Sequence, residues 1–331
     1  MRCAVVGAGA WGTALGDLLA SNGHTVRLWA FEPDVVASIN GRHQNPVFLS
    51  GFQLQESLIA TRDHRETLSG ADLVVYATPS QHLRSIARAG KDHVAKHAVL
   101  VVASKGIEEK TLALMSDAVA EEVSGRPVVA ISGPSFASEV AARQPTAIVA
   151  ASLDADAARV AQDALSSSTF RVYTHDDLIG VELGGALKNV MAVATGIVEG
   201  VGLGNNSRAA LITRGLAEMT RLGIALGARA STFAGLAGIG DLVLTCTGAL
   251  SRNRAVGVEV GKGKTLEEAL AGKPTVAEGV ITTKSALALA LREGVEMPIA
   301  TMVYRILFDG HSARSAVPEL MARGLRAEQD A

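Results

Sequence analysis

Arg2-Cys3-Ala4-Val5-Val6-Gly7-Ala8-Gly9-Ala10-Trp11-Gly12-Thr13 decides the fold. A short apolar run ends in a GxGxxG turn, and a helical pattern over residues 13–22 follows directly. Glycine is common in this chain, so the turn gains meaning only from its place between a strand and a helix. Gly7 permits a tight turn, Gly9 lets a diphosphate approach the backbone, and Gly12 lets helix and strand pack closely. The helix start offers unpaired N–H groups and a partial positive charge to an anion. A second strand is expected over residues 24–29, and Glu32 lies 20 residues past Gly12. A carboxylate there accepts hydrogen bonds from an adenosine ribose. The alternative is a glycine-rich turn of purely structural purpose; strand, helix and acid in register favour a dinucleotide site. Glu32 suits a 2′-hydroxyl and repels a 2′-phosphate, while Phe31 and Pro33 supply no cation. NAD is favoured over NADP.

Further strands are expected over residues 72–77, 98–103, 127–131, 147–151 and 170–173. They are near-continuous apolar runs separated by helical stretches, as in a parallel sheet covered on both faces. Past residue 176 the strand signals fade, and Ala/Leu/Gly segments with helical spacing take over at 178–199, 208–226, 265–272 and 278–293. The expected fold is α/β: a Rossmann-like, doubly wound, mainly parallel sheet followed by an all-α C-terminal domain. Residues 1–177 form the dinucleotide-binding domain and residues 178–331 the helical substrate domain.

Composition narrows the function. The 331 residues carry 31 Lys plus Arg against 33 Asp plus Glu, a net charge of -2. So neutral a chain is poorly suited to gripping nucleic acid or an anionic membrane. Hydrophobic residues make up 48% and charged ones 19%, which excludes disorder. Despite a mean hydropathy of +0.26, apolar runs are broken by glycine, charge or polar residues, so membrane insertion is not expected. Cys3 and Cys246 form no CxxC, and a reducing cytoplasm is the expected location. His93 and His97 stand four apart with no Glu or Cys to complete a ligand set; no metal is expected.

The segment Glu182-Leu183-Gly184-Gly185-Ala186-Leu187-Lys188-Asn189 continues to Ile197 as an apolar helix with a lysine in its middle. On helical spacing Lys188 shares a face with Gly184, Gly185, Ala192 and Thr195. Those small residues are expected to leave a shallow trough where the ammonium meets a ligand. Apolar surroundings are expected to disfavour the charged form and bring the lysine toward a general base's working range. A lysine snorkelling from a half-buried helix is the bland alternative. The lack of polar neighbours on its face favours catalysis.

With these residues in place the chain resembles the bacterial type of NAD(P)-dependent glycerol-3-phosphate dehydrogenase. The matching pieces are GAGAWGTALG at 7–16, SKGIE at 104–108, SGPSFASEV at 132–140 and ELGGALKNVMAVATGI at 182–197. GIGDLVLTCTG follows at 238–248, SRNR at 251–254 and VAEG at 276–279. The resemblance implies Lys188 as the group that exchanges a proton with the substrate's C2 oxygen. It implies substrate contacts from Lys105, Gly133, Ser135, Asp241, Ser251, Arg252 and Asn253. Cofactor contacts are implied for Gly7, Gly9, Ala10, Trp11, Gly12, Phe31, Glu32, Lys105, Ala137, Arg252, Val276 and Glu278. Relatives often carry Ser where this chain has Ala10, and a basic residue around position 31, where it has Phe31. WAFEPD at 29–34 is closer to NAD-preferring members.

The hydroxyl, guanidinium and amide of Ser251-Arg252-Asn253 suit a phosphate; read alone they form an exposed basic turn with a serine cap. Gly133-Pro134-Ser135 could equally be a plain turn, and Asp241 a helix cap. A small phosphate ester is the expected partner and a homodimer an admissible assembly. Two rivals stand beside the resemblance. A β-hydroxyacid dehydrogenase of related fold would also use a Lys-Asn pair on a helix, but has no use for the SRN segment. A non-catalytic dinucleotide sensor would leave Lys188 without a purpose.

Overall fold

Eight strands form one sheet: β1 (Arg2–Val6), β2 (Thr25–Trp29), β3 (Ile59–Thr61), β4 (Leu73–Tyr76), β5 (Val99–Val102), β6 (Val128–Ser132), β7 (Thr146–Ala151) and β8 (Phe170–His175). Their order is β3-β2-β1-β4-β5-β6-β7-β8. Neighbours are parallel except β6 and β7, which run antiparallel. The computed structural model describes residues 1–272, 277–325, 327 and 328.

The apolar strands are sorted by the pleat. Cys3, Val5, Leu73, Val75, Val99 and Val101 enter one core cluster; Ala4, Val6, Val74, Tyr76, Leu100 and Val102 enter the other. Successive side chains point to opposite faces, so a sheet buried on both sides needs uninterrupted apolar runs. The first face is covered by α1 (Ala10–Ser21), α2 (Pro33–Arg42), α6 (Ala137–Ala141) and α7 (Ala155–Leu165). The second is covered by α3 (His64–Leu68), α4 (Ser80–Gly90) and α5 (Met115–Glu122). The chain is thus doubly wound.

The remainder is helical: α8 (Leu178–Val201), α9 (Asn205–Ala225), α10 (Ala230–Phe233), α11 (Asp241–Thr247), α12 (Arg252–Gly261), α13 (Leu266–Leu270), α14 (Glu278–Arg292), α15 (Pro298–Phe308) and α16 (Ala313–Met321). A π-helical turn, Leu236–Gly240, leads into α11. By its contacts the chain divides into two compact units, Met1–Lys105 with Ala113–Glu182 and Gly106–Leu112 with Leu183–Ala331. By length and composition α8 could cross a membrane, yet its most apolar window, of hydropathy 1.3, is buried throughout. It is a core helix.

In the second unit α8 and α12 meet along a seam of glycines. Gly196 and Gly200 of α8 face Gly257 and Gly261 of α12. A Cβ on Gly196 would stand 2.1 Å from the Arg254 carbonyl oxygen, and one on Gly257 2.1 Å from that of Val193. The helices touch backbone to backbone. His93 and His97 do not share a helix face, because His93 ends a short 3₁₀ turn and His97 beyond it meets Asp72 at 3.2 Å.

Candidate functional site

In the first unit the glycine turn is held at the carboxyl end of β1. Gly7 N–H donates to the Trp29 carbonyl at 3.0 Å, setting the turn beside residues 30–32. Gly7 has φ +114°, a left-handed value that glycine tolerates, and a Cβ there would lie 2.8 Å from the Ala77 oxygen. On Gly12 a Cβ would stand 1.8 Å from the Gly7 oxygen. No side chain caps α1 and no acid occupies its first turn, so the N–H groups of Ala10, Trp11 and Gly12, which precede the first intrahelical bond from Thr13 to Gly9, are left for a ligand. Nothing lies within 4 Å of the point where a Cβ would project from Gly9. Trp11 Nε1 is buried with no partner among the described residues. An open helix start, close glycine backbone and an indole donor fit a dinucleotide diphosphate.

Glu32 is the N-cap residue of α2, yet its side chain makes no capping bond, which leaves the carboxylate available. Pro33 follows at the first helical position and has no N–H to offer a phosphate. Phe31 is exposed, 67% of its surface open to solvent.

The SKG and GPS segments meet where β5 and β6 end. Lys105 Nζ donates to the Gly133 carbonyl at 3.4 Å, and Ser135 Oγ donates to the same oxygen at 2.9 Å. Gly133 has φ +143°, and a Cβ on it would lie 2.9 Å from Ile148 Cα, so the approach of β7 excludes a side chain. Ala137 opens α6 just beyond. Carboxyl ends of parallel strands are where open α/β sheets take ligands.

In the second unit Lys188 is enclosed. Its Nζ donates to Asp241 Oδ1 at 2.5 Å and to Thr245 Oγ1 at 2.9 Å, and all three residues are buried. The trough expected beside the lysine is filled at Gly184, where a Cβ would lie 2.4 Å from the Ala237 oxygen. Gly184 admits the backbone of the Leu236–Gly240 turn, and that turn delivers Asp241. The Thr195 hydroxyl turns back to the Ala192 carbonyl at 2.9 Å. Lys188 therefore meets a carboxylate and a hydroxyl rather than the bare apolar surface expected of its helix face.

Asn253 Nδ2 donates to Asn189 Oδ1 at 2.9 Å, while its own Oδ1 accepts from Gly279 N–H at 3.0 Å. This amide ties α8, α12 and α14 together beside Lys188. Ser251 Oγ caps α12 by accepting from Arg254 N–H at 3.2 Å. Arg252 is an exposed residue whose guanidinium end is crowded by protein. Crowding works to lower its pKa, and the Glu278 carboxylate at the start of α14 opposes it. An arginine remains charged under such influences. Val276 lies outside the described residues. Thr245 and Asn189 have no place in the sequence-based site. The available signals were that Thr245 falls one helical turn after Asp241 and that Asn189 adjoins Lys188.

Residues 2–158 match the N-terminal part, and residues 177–318 the C-terminal part, of the family described as NAD-dependent glycerol-3-phosphate dehydrogenase. The chain belongs to that family. A glycerol-3-phosphate dehydrogenase [NAD(P)+] of Citrifermentans bemidjiense is 53% identical over 330 residues, 99% of this chain and 98% of that protein. One from Syntrophotalea carbinolica is 53% identical over 333 residues, covering 100% of both. The crystal structure of the glycerol-3-phosphate dehydrogenase from Coxiella burnetii has a TM-score of 0.94 and 41% identity, covering 97% of this chain and 99% of that one. Both halves of the chain, the sheet with its glycine turn and the helices with Lys188, lie within the family's extent.

Proposed function

We propose that this protein is a glycerol-3-phosphate dehydrogenase that interconverts dihydroxyacetone phosphate and sn-glycerol 3-phosphate, with NAD preferred over NADP. The observation that carries the reading is the buried Lys188, gripped by Asp241 and Thr245 on helices of the family's C-terminal part. When bound, the nicotinamide supplies or accepts the hydride at the substrate's C2. Lys188, hydrogen-bonded to Asp241, polarises the ketone oxygen and gives it a proton in reduction; in oxidation it takes the hydroxyl proton back. Thr245 and Asp241 fix the direction of its N–H bonds.

Arg252 holds the substrate phosphate, with Ser251 and Asn253 beside it. That remote grip orients the reacting carbon. Lys105, beside Gly133 and Ser135 at the strand ends, is a further cation that the resemblance assigns to both substrate and cofactor. Gly7, Gly9, Ala10, Trp11 and Gly12 receive the diphosphate and Glu32 the adenosine ribose, with Phe31 alongside. Ala137, Val276 and Glu278 are assigned to the cofactor by the resemblance alone. We place the reaction in the cytoplasm, where its product supplies glycerophospholipid synthesis; two buried free thiols accord with a reducing compartment.

Turnover decides the matter. Purified protein should consume NADH with dihydroxyacetone phosphate and not with hydroxy-acid precursors. NADPH should serve less well, and a strong preference for it would refute the weight placed on Glu32. Lys188→Ala should lose about 10²–10⁴-fold in kcat; equal rates for variant and wild type would remove the lysine from the mechanism.

A further inference from the structure

Asn45 sits in the connection between α2 and β3, far in sequence from the glycine turn, and is completely buried. A buried amide in a loop is unfavourable unless its hydrogen-bonding groups are matched. Here they are. Nδ2 donates to the Ala8 carbonyl at 2.8 Å and to Thr13 Oγ1 at 2.9 Å, while Oδ1 accepts from Phe48 N–H at 3.2 Å. Reversing the amide would set oxygen against oxygen at Ala8 and leave Phe48 N–H without its acceptor, so the neighbours determine its orientation. Thr13 Oγ1 donates to the same Ala8 carbonyl at 3.1 Å. Both lone pairs of that oxygen are engaged from inside the protein.

The consequence follows from peptide geometry. The Ala8–Gly9 peptide is planar and trans, so its C=O and N–H point in opposite directions. Pinning the Ala8 oxygen inward turns the Gly9 N–H outward. That N–H meets no acceptor among the described residues, and the space beside Gly9 is open to 4 Å. We propose that Asn45 is a positioning residue for the dinucleotide, holding the Ala8–Gly9 peptide so that the Gly9 N–H is presented to the diphosphate. The proposal rests on reading the glycine turn as the dinucleotide site. Left to itself, a glycine-flanked peptide rotates readily, and a rotated one would present a carbonyl oxygen to an anion.

Calorimetric binding of NADH and of ADP, which carries the diphosphate without the nicotinamide, separates the outcomes. Asn45→Ala should weaken both by about ten- to a hundredfold, the range expected for a lost hydrogen bond to a charged group. The KM for dihydroxyacetone phosphate at saturating NADH should stay within about twofold. Thr13→Ala, which removes one of the two donors to Ala8, should weaken both ligands by about three- to tenfold; it decides the question if Asn45→Ala does not fold. A merely structural asparagine would lower the melting temperature and leave both dissociation constants unchanged, overturning the proposal. Wild-type protein that binds neither NADH nor ADP would instead overturn the dinucleotide reading beneath it.

Discussion

Lys188 and Asp241 are enclosed together, and enclosure makes each depend on the other. Removing one partner of a buried pair leaves a charge without its counterpart, at roughly 3–5 kcal/mol. Asp241→Asn should therefore lower stability to urea by about that amount, while Lys188→Met with Asp241→Asn together should recover much of it. Additive losses in that double variant would show that the two side chains are not energetically coupled. Glu218 presents a different situation, a buried acid held by backbone N–H groups. Its carboxylate accepts from Ile299 N–H at 2.6 Å and Ala300 N–H at 3.3 Å at the start of α15. Burial pushes its pKa up to about 7, against those two N–H groups and the charges of Arg221 and Arg323. The folded state thus holds the proton more tightly than the unfolded chain. The associated stability is fully present below the ordinary carboxylate pKa and is lost as pH rises through about 7. In urea melts, the stability of wild type relative to Glu218→Gln should fall between pH 5 and pH 8, by about 3 kcal/mol at most. A constant difference across that range would contradict the raised pKa.

Helix contacts convert the same small substitution into opposite effects. Gly257 sits in the α8–α12 seam, where a new Cβ would meet the Val193 oxygen at 2.1 Å. Gly257→Ala should lower stability by about 1–3 kcal/mol and raise the KM for dihydroxyacetone phosphate, because α12 carries Arg252 and Asn253. Gly41, inside α2 with nothing within 4 Å, is the counterpart: Gly41→Ala should raise stability by up to about 1 kcal/mol. Equal effects from the two would mean that the seam yields freely.

The elements differ in how clearly their sequences announce them. Strands β1, β4 and β5 are legible because burial on both faces demands unbroken apolar runs. β3 is not, since three residues at the sheet edge, Ile59–Thr61, carry no pattern. Nor is α12, where glycines that usually mark turns serve a close helix contact instead. At the site, Lys188 stands out as a charge on an apolar helix. What lies opposite it, Asp241 and Thr245 from a helix more than fifty residues on, depends on a π-helical turn that no periodicity announces. Asn45 is invisible for the same reason: its partners are a backbone carbonyl and a hydroxyl more than thirty residues away.

At the scale of the whole molecule, near neutrality is an average over unlike regions. Lys188 and Arg252 both lie in the helical unit of a chain of net charge -2, while Glu32 and Asp34 put two acids at the start of α2 in the other unit. The division of the chain adds something of practical use. Cys3 lies on β1 in the first unit and Cys246 on α11 in the second, both buried. Burial pushes both thiols up to about 12, with the Thr195 hydroxyl and the Lys188 charge opposing the shift at Cys246. Neither should react with a thiol reagent at pH 8 in the native protein, and prompt labelling of either would contradict its enclosure. Under mild denaturant, mapping which cysteine is labelled first would give each unit its own clock. The opening of the sheet and that of the helical half could then be timed separately in one unmodified chain.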